Sequence, residues 1–413
     1  LYVTNQESPN EVRFEGPGVH GGTTVQGRLS EYRITVIDPG TSSVDPQHLN
    51  QHIDYSQLHT DAGANHAAIN AQIPHSLATP LQPVVSSDGT SLYVAAFGSG
   101  KVGVFDTADI EDTSFETNFD PTAESANYIN VPGGPGGLAL DESRNRLYVA
   151  TRFDNSIAVV DLGSSQEVHR IPLHNPEPDS ILEGRPILYD ASITSGNGEA
   201  SCSSCHIFAD FDSLAWNLGN PDEHETNNTQ PVATPLLHPS VGVVTQNATT
   251  FHPMKGPMTT QTLRGMATHG AMHWRGDRVD GFFSPGGEMC NAPGYVENGL
   301  GDPLNLSTTA PCDEDLSFRN FIVAFEGLVG KEGTVTTDQM QDFADFILQV
   351  MLPPNPIRAL DNSLTTAQQD GEDKFFSCGP GKTECGIFDP DATDNVDDCD
   401  GCHNLDPLSG LFG

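Results

Sequence analysis

With 413 residues the chain has room for several domains and an ample core. A formal net charge of −38, from 56 acidic and 18 basic side chains, argues against nucleic acid or an anionic membrane surface as a partner. It fits a solvated, salt-tolerant surface or a basic redox partner. No apolar run approaches the ~20 residues needed to span a bilayer, and 36% hydrophobic content with 41 Gly and 30 Pro indicates loop-rich β structure and short helices.

The N-terminal part repeats itself. Leu1-Tyr-Val-Thr-Asn5 is followed by Tyr32-Arg-Ile-Thr-Val-Ile-Asp38, Leu92-Tyr-Val-Ala-Ala96 by Lys101-Val-Gly-Val-Phe-Asp106, and Leu147-Tyr-Val-Ala-Thr151 by Ser156-Ile-Ala-Val-Val-Asp161. Each pair predicts two β-branched strands joined by a Gly/Asn turn and ending on Asp. Val84–Gly89 and Leu138–Glu142 add a third strand and its turn to the last two. Tyr93 and Tyr148 stand 55 residues apart, a plausible blade period. Residues 6–31 and 41–75 are insertions rich in Gly, His, Asn and Gln. The repeats resemble the YVTN family of β-propellers over residues 1–172. The resemblance implies a propeller portion, incomplete because a ring closes with about four to eight blades.

Pro172, Pro176, Pro178 and Pro186 mark a linker, after which the strand repeats vanish. Helical periodicity then predicts short helices at 316–329, 337–351 and 365–376. The middle one has Thr336 or Thr337 as N-cap and Pro353-Pro354 as stop.

Two pentapeptides carry the strongest chemical signal, Cys202-Ser-Ser-Cys205-His206 and Cys399-Asp-Gly-Cys402-His403. Each is C-x-x-C-H, the attachment signature of c-type haem. Two thiols form thioethers to the two vinyl groups of one porphyrin, and the adjacent His reaches the iron. Zinc half-sites or redox dithiols are the rival readings. Cys202, Cys205, Cys399 and Cys402 are therefore the attachment residues, and His206 and His403 the proximal ligands of two haems. The other four cysteines form two local pairs, Cys290/Cys312 and Cys378/Cys385, as disulfides or as free thiols. Haem c and disulfides both place the chain in an exported, periplasmic or extracellular setting. As residue 1 is Leu and no signal peptide precedes it, a processed or trimmed chain is expected.

Residues 251–289 hold the ligands a haem needs besides its proximal His. His252, Met254, Met258, His269 and His273 are candidates for the distal face. Arg264, Arg275 and Arg278 are candidates for the propionates. The alternating carboxylates Asp389, Asp391, Asp394 and Asp397 form either a Ca²⁺ cage or a solvated acidic loop.

The order of motifs resembles the bacterial di-haem cytochrome c peroxidase superfamily. The matching residues are Cys202–His206, Thr262-Leu-Arg264, His273-Trp-Arg-Gly-Asp-Arg278 and Glu288-Met289, then Leu364-Thr-Thr-Ala, Gly371–Phe376 and the second C-x-x-C-H. Residues 205–216 further resemble members fused to YVTN propellers. The resemblance implies a multidomain fold: an all-β propeller portion (1–172), then two α-helical cytochrome c-like domains (173–355 and 356–413), the second incomplete at its C-terminus. It implies Trp274 between the haems, Glu288 as distal acid–base group and His252 as displaceable distal ligand. It also implies Ca²⁺ near the haems, and a small redox protein or another cytochrome as donor, with H₂O₂ as the species reduced. Two departures stand out. Trp274-Arg-Gly-Asp277 replaces the family's Trp-Asp-Gly-Arg, and the chain ends at Gly413, before the segment that delivers the second haem's distal ligand. The expected function is a di-haem peroxidase-like oxidoreductase. The alternatives are an electron-transfer cytochrome or component of an extracellular redox assembly, and a di-haem oxidase acting on an organic or protein substrate.

Overall fold

Three consecutive antiparallel meanders build the N-terminal part of the computed structural model, which describes residues 1–13, 25–112, 121–219, 224–227, 233–238, 242–247, 250–251, 254–267, 272, 314–359, 361, 363–375, 405–406 and 411–412. Strands β1 (Tyr2–Glu7), β2 (Glu31–Asp38) and β3 (Ser43–His48) form the first. The second contains β4 (Pro80–Val85), β5 (Ser91–Ala96), β6 (Lys101–Asp106) and β7 (Ile129–Asn130). In the third, β8 (Pro135–Asp141), β9 (Arg146–Thr151), β10 (Ser156–Asp161) and β11 (Gln166–Pro172) follow in order.

The strand pairs follow from period-2 alternation, and the turns fix their register. Ala96 faces Lys101 across one hairpin, and Thr151 faces Ser156 across the next. Gly100 (φ 60°) and Asn155 (φ 47°) take the left-handed conformation at equivalent places in these loops, a conformation that Gly and Asn reach most easily. The pleat of β5 serves two cores at once. Leu92, Val94 and Ala96 join Ile34, Leu49, Leu77 and Phe105, while Ala95 joins Val102, Leu147, Val149, Ala158 and Val160. Each large side chain buried this way contributes about 1.5–3 kcal/mol.

The contacts divide the chain into two units. The first comprises Leu1–His224, His252–Leu263 and Arg319–Ile347, and the second Glu225–Phe251, Arg264–Phe318 and Leu348–Gly413. In the first unit the helix Asp179–Tyr189 packs against the helix Thr337–Ile347. Gly184 makes the approach possible, since a Cβ there would lie 2.1 Å from the Asp342 carbonyl oxygen. Thr336 caps the second helix reciprocally. Its Oγ1 accepts from Gln339 N–H at 3.1 Å, and Gln339 Oε1 accepts from Thr336 N–H at 2.9 Å.

Among the described residues the expected pair of α-helical cytochrome c-like domains is not found. The described residues are mainly β-sheet, and their longest helices, Asp179–Tyr189 and Thr337–Ile347, have 11 residues each. Where the first helical haem domain was expected, the chain pairs antiparallel as β12 (Ala215–Gly219) with β17 (Met254–Thr259), β13 (Thr226–Asn227) with β16 (Thr250–Phe251), and β14 (Ala233–His238) with β15 (Gly242–Asn247). Runs such as Val243-Val244-Thr245 carry the β-branched side chains that favour strands. The helix Thr337–Ile347 obeys its 3.6-residue period, with Met340, Phe343, Ala344 and Ile347 buried. Asp342 and Phe346 of this helix meet Gly184 of Asp179–Tyr189, while Phe343 packs edge-on against Phe325. In the second unit Thr366–Phe375 is a helix with its own capping box between Thr365 and Gln368, and β18 (Leu405–Asp406) pairs with β19 (Leu411–Phe412).

Candidate functional site

A continuous buried stretch, Thr194–Ser201, leads into the first C-x-x-C-H. Such a stretch must satisfy its polar groups internally. Ser195 Oγ and Asn197 Oδ1 accept from the backbone at Asn197, Gly198 and Glu199, and Asn197 Nδ2 donates to the Gly27 carbonyl at 2.9 Å. Ser201 and Ser204 form a capping box that opens the tight turn Cys202–Ser204. Cys205 N–H and His206 N–H both donate to the Cys202 carbonyl, at 3.3 and 2.9 Å. One turn therefore carries both thiols and the imidazole.

Glu199 braces this turn. Its carboxylate is fully buried, and accepts from Asn50 Nδ2 at 2.7 Å, His48 Nε2 at 3.1 Å, Tyr55 Oη, and Tyr32 N–H at 3.4 Å. Burial and the adjacent Glu199 charge push the Tyr55 hydroxyl well above its ordinary pKa, which keeps it a donor. Tyr32 Oη meets Ser204 Oγ at 2.8 Å, inside the motif, and Gln6 Nε2 donates to the Ser204 carbonyl at 2.8 Å. The first meander is thus bonded directly to the cysteine turn.

Cys202 and Cys205 are half-exposed and not joined in a disulfide. Burial pushes the Cys202 thiol up to about 12, and burial with the nearby Asp212 charge pushes Cys205 up as well. Among the described residues, neither cysteine belongs to a set of three His, Cys, Asp or Glu ligand atoms close enough to share a metal ion. A donor set of two thiols and the next imidazole on one turn matches covalent haem attachment. Past His206 the chain reverses through Phe208 (φ 51°) and Ala209 (φ 61°), a costly backbone for a bulky residue. Phe208 and Phe211 are left 51% and 47% exposed beside the motif, an apolar flank of the kind a porphyrin face would cover.

The structure joins one further part of the expected site to this turn. Leu263 N–H donates to the Ala209 carbonyl at 3.1 Å and Thr262 Oγ1 donates to it at 3.4 Å, so the Thr262-Leu-Arg264 segment runs beside the cysteine motif up to Leu263. Arg264 is the next residue along the chain. Met258 lies on β17 opposite Trp216 of β12, and Met254 pairs with Gly219 on the same ladder. Trp216 is buried, its Nε1 donating to Asp212 Oδ2 at 3.0 Å. Trp274, Glu288, His252, His269, His273, Arg275 and Arg278 lie outside the described residues. So do Cys399, Cys402, His403, the Asp389–Asp397 cluster and the pairs Cys290/Cys312 and Cys378/Cys385. Glu199 and its partners were not singled out from the sequence. The available signal was a Glu three residues before Cys202 and the His-rich insertion at 41–75.

No protein-family model matches the chain, and no curated protein matches it. Solved structures give remote likenesses. Hydrazine synthase of Kuenenia stuttgartiensis is similar over 39% of this chain and 41% of its own, at 16% identity and a TM-score of 0.25. The periplasmic gluconolactonase of Pseudomonas aeruginosa is similar over 36% and 37%, at 14% identity and 0.24. Dihydro-heme d1 dehydrogenase NirN, solved with DHE bound, is similar over 37% and 25%, at 14% identity and 0.22. The chain thus spans about two fifths of the first two structures and a quarter of the third. At these values the likenesses assign neither family nor activity.

Proposed function

We propose that the chain is an exported di-haem oxidoreductase. Cys202 and Cys205 hold one haem by thioethers with His206 as proximal ligand, and Cys399, Cys402 and His403 hold the other. The observation that carries this reading is the single turn, set on the buried stretch Thr194–Ser201, that presents both half-exposed thiols and the imidazole and is tied to Tyr32. When bound, each haem supplies one-electron redox chemistry, directed at the first site toward H₂O₂. Glu288 would act as the acid–base group, moving a proton from the proximal to the distal peroxide oxygen so that the O–O bond can break. Trp274 would help electrons cross from the second haem to the first. Two electrons and two protons convert one H₂O₂ to two waters. A small basic redox protein or another cytochrome supplies the electrons, matched to the acidic surface. Export to the periplasm or beyond follows from the chemistry of haem c.

Glu288→Gln tests the peroxidase step. Turnover with H₂O₂ should fall about 10²- to 10⁴-fold, the ordinary contribution of a general acid–base group, with haem content unchanged. The placement of Met258, half-buried on a strand whose extension is tied to the cysteine turn, favours a second reading, a six-coordinate electron carrier. Unchanged turnover in Glu288→Gln, with an entirely low-spin first haem, would select that reading instead.

A further inference from the structure

The segment between β3 and β4 carries His52, His59, His66 and His75, none of which the haem reading uses. Two of them meet. His59 Nδ1 and His66 Nδ1 face each other at 2.7 Å, and the rings stack with centroids 5.1 Å apart and planes 7° apart. Glu332 brings Oε1 to 3.9 Å from His66 Nδ1. The three ligand atoms all lie within 4.8 Å of one another.

Local structure holds each ligand in place. His66 begins a short helix capped by Asn65, whose side chain accepts from Ala68 N–H. Glu332 sits on a loop held by three backbone bonds, Gly27 N–H to Leu328 O (2.8 Å), Gly196 N–H to Val329 O (3.0 Å) and Lys331 N–H to Phe325 O (2.8 Å). Gly196 admits this loop, because a Cβ there would lie 2.0 Å from the Gly330 carbonyl oxygen and 3.1 Å from His59 Cδ2. Asn70 Nδ2 donates to Glu332 Oε2 at 2.9 Å, which orients the carboxylate and leaves Oε1 for the histidines.

Two imidazole nitrogens and a carboxylate oxygen are a ligand set for Zn²⁺. A tetrahedral ion at about 2.0–2.2 Å from its ligands sets them about 3.4 Å apart, so the two nitrogens would open from 2.7 Å and Glu332 Oε1 would close from 3.9 Å, shifts within reach of side-chain rotation. His59 is 7% exposed, whereas the His66 and Glu332 side chains are 46% and 50% exposed, so the remaining coordination position faces solvent.

We propose that His59, His66 and Glu332 form a Zn²⁺ site, with one solvent-facing position, that fastens the histidine-rich insertion to the Leu328–Gly333 loop. It uses none of the haem-attachment residues. The test is calorimetric titration of chelator-stripped, haem-containing protein with Zn²⁺, with excess Ca²⁺ present to fill oxygen-only sites. One Zn²⁺ per chain should bind to this site. His66→Ala should weaken that binding at least a hundredfold, and Asn70→Ala about tenfold. Since His66 is half exposed, His66→Ala should melt like wild type in chelator, whereas Zn²⁺ should raise the melting temperature of wild type only. Zn²⁺ binding of equal affinity in His66→Ala, or no Zn²⁺-dependent rise in wild-type melting temperature, would overturn the assignment.

Discussion

At the scale of single residues, Glu177 and His52 make the stability of the fold sensitive to pH. Glu177 Oε1 accepts from Arg152 Nη2 at 2.6 Å and pairs with Arg185 Nη2 at 2.7 Å, and these guanidiniums hold its carboxyl at about 2 instead of the ordinary 4.5. A depressed carboxylate contributes stability above its unfolded value and loses it as pH falls through the folded one, here between 4.5 and about 2. His52, held down to about 4 mainly by burial, resists protonation in the fold, so its contribution fades between 6.5 and 4. Stepwise acid unfolding should show both windows. Glu177→Gln should remove the lower one and cost about 3 kcal/mol, because Arg185 is buried and would lose its counter-charge. Equilibrium denaturation at a series of pH values checks this. Glu199→Gln should cost about 2 kcal/mol by mismatching the donors that converge on it. It should also lower haem incorporation at the first site, measured as the haem-to-protein ratio.

At the scale of elements, the helix pair is the most sensitive joint. A Cβ on Gly184 would meet Asp342 O at 2.1 Å and Phe346 Cβ at 2.3 Å, so the two helices would have to separate. Gly184→Ala should destabilise the first unit by about 1–3 kcal/mol, the ordinary cost of overpacking, although Ala is the better helix former. Urea denaturation measures it, and a gain in stability would contradict the packing. The strand pairs were legible because alternation and turn residues such as Asn155 are local properties of a few consecutive residues. The helix Thr337–Ile347 was equally legible as a helix. Its partner was not, because that depends on a missing Cβ at Gly184, more than a hundred residues earlier. The same holds for the sites. The cysteine turn is contiguous in sequence and could be read directly. Glu199 finds His48, Asn50 and Tyr55 through the fold, and Glu332 finds His59 and His66 the same way. The expectation of helical haem domains came from the order of motifs, which can persist while the backbone between them forms strands β12–β17.

At the scale of the whole molecule, the charge dominates. Fifty-six acidic against 18 basic side chains give a net charge of −38, and self-repulsion of this size opposes the folded state. Salt screens it, with a Debye length falling from about 30 Å at 0.01 M to about 10 Å at 0.1 M. The melting temperature should therefore rise with added NaCl over this range, as calorimetry would record, and an unchanged value would mean that local ion pairs outweigh the net charge. Association with a basic electron donor should weaken over the same range. The proposed oxidoreductase chemistry rests on covalent haem at Cys202, Cys205 and His206. The most direct test is the mass of the denatured chain, made in a host that matures c-type cytochromes, for wild type and a Cys202→Ser/Cys205→Ser variant. Two haem additions are expected in wild type and one in the variant. Equal haem additions in both, or a bare polypeptide mass in wild type, would contradict it.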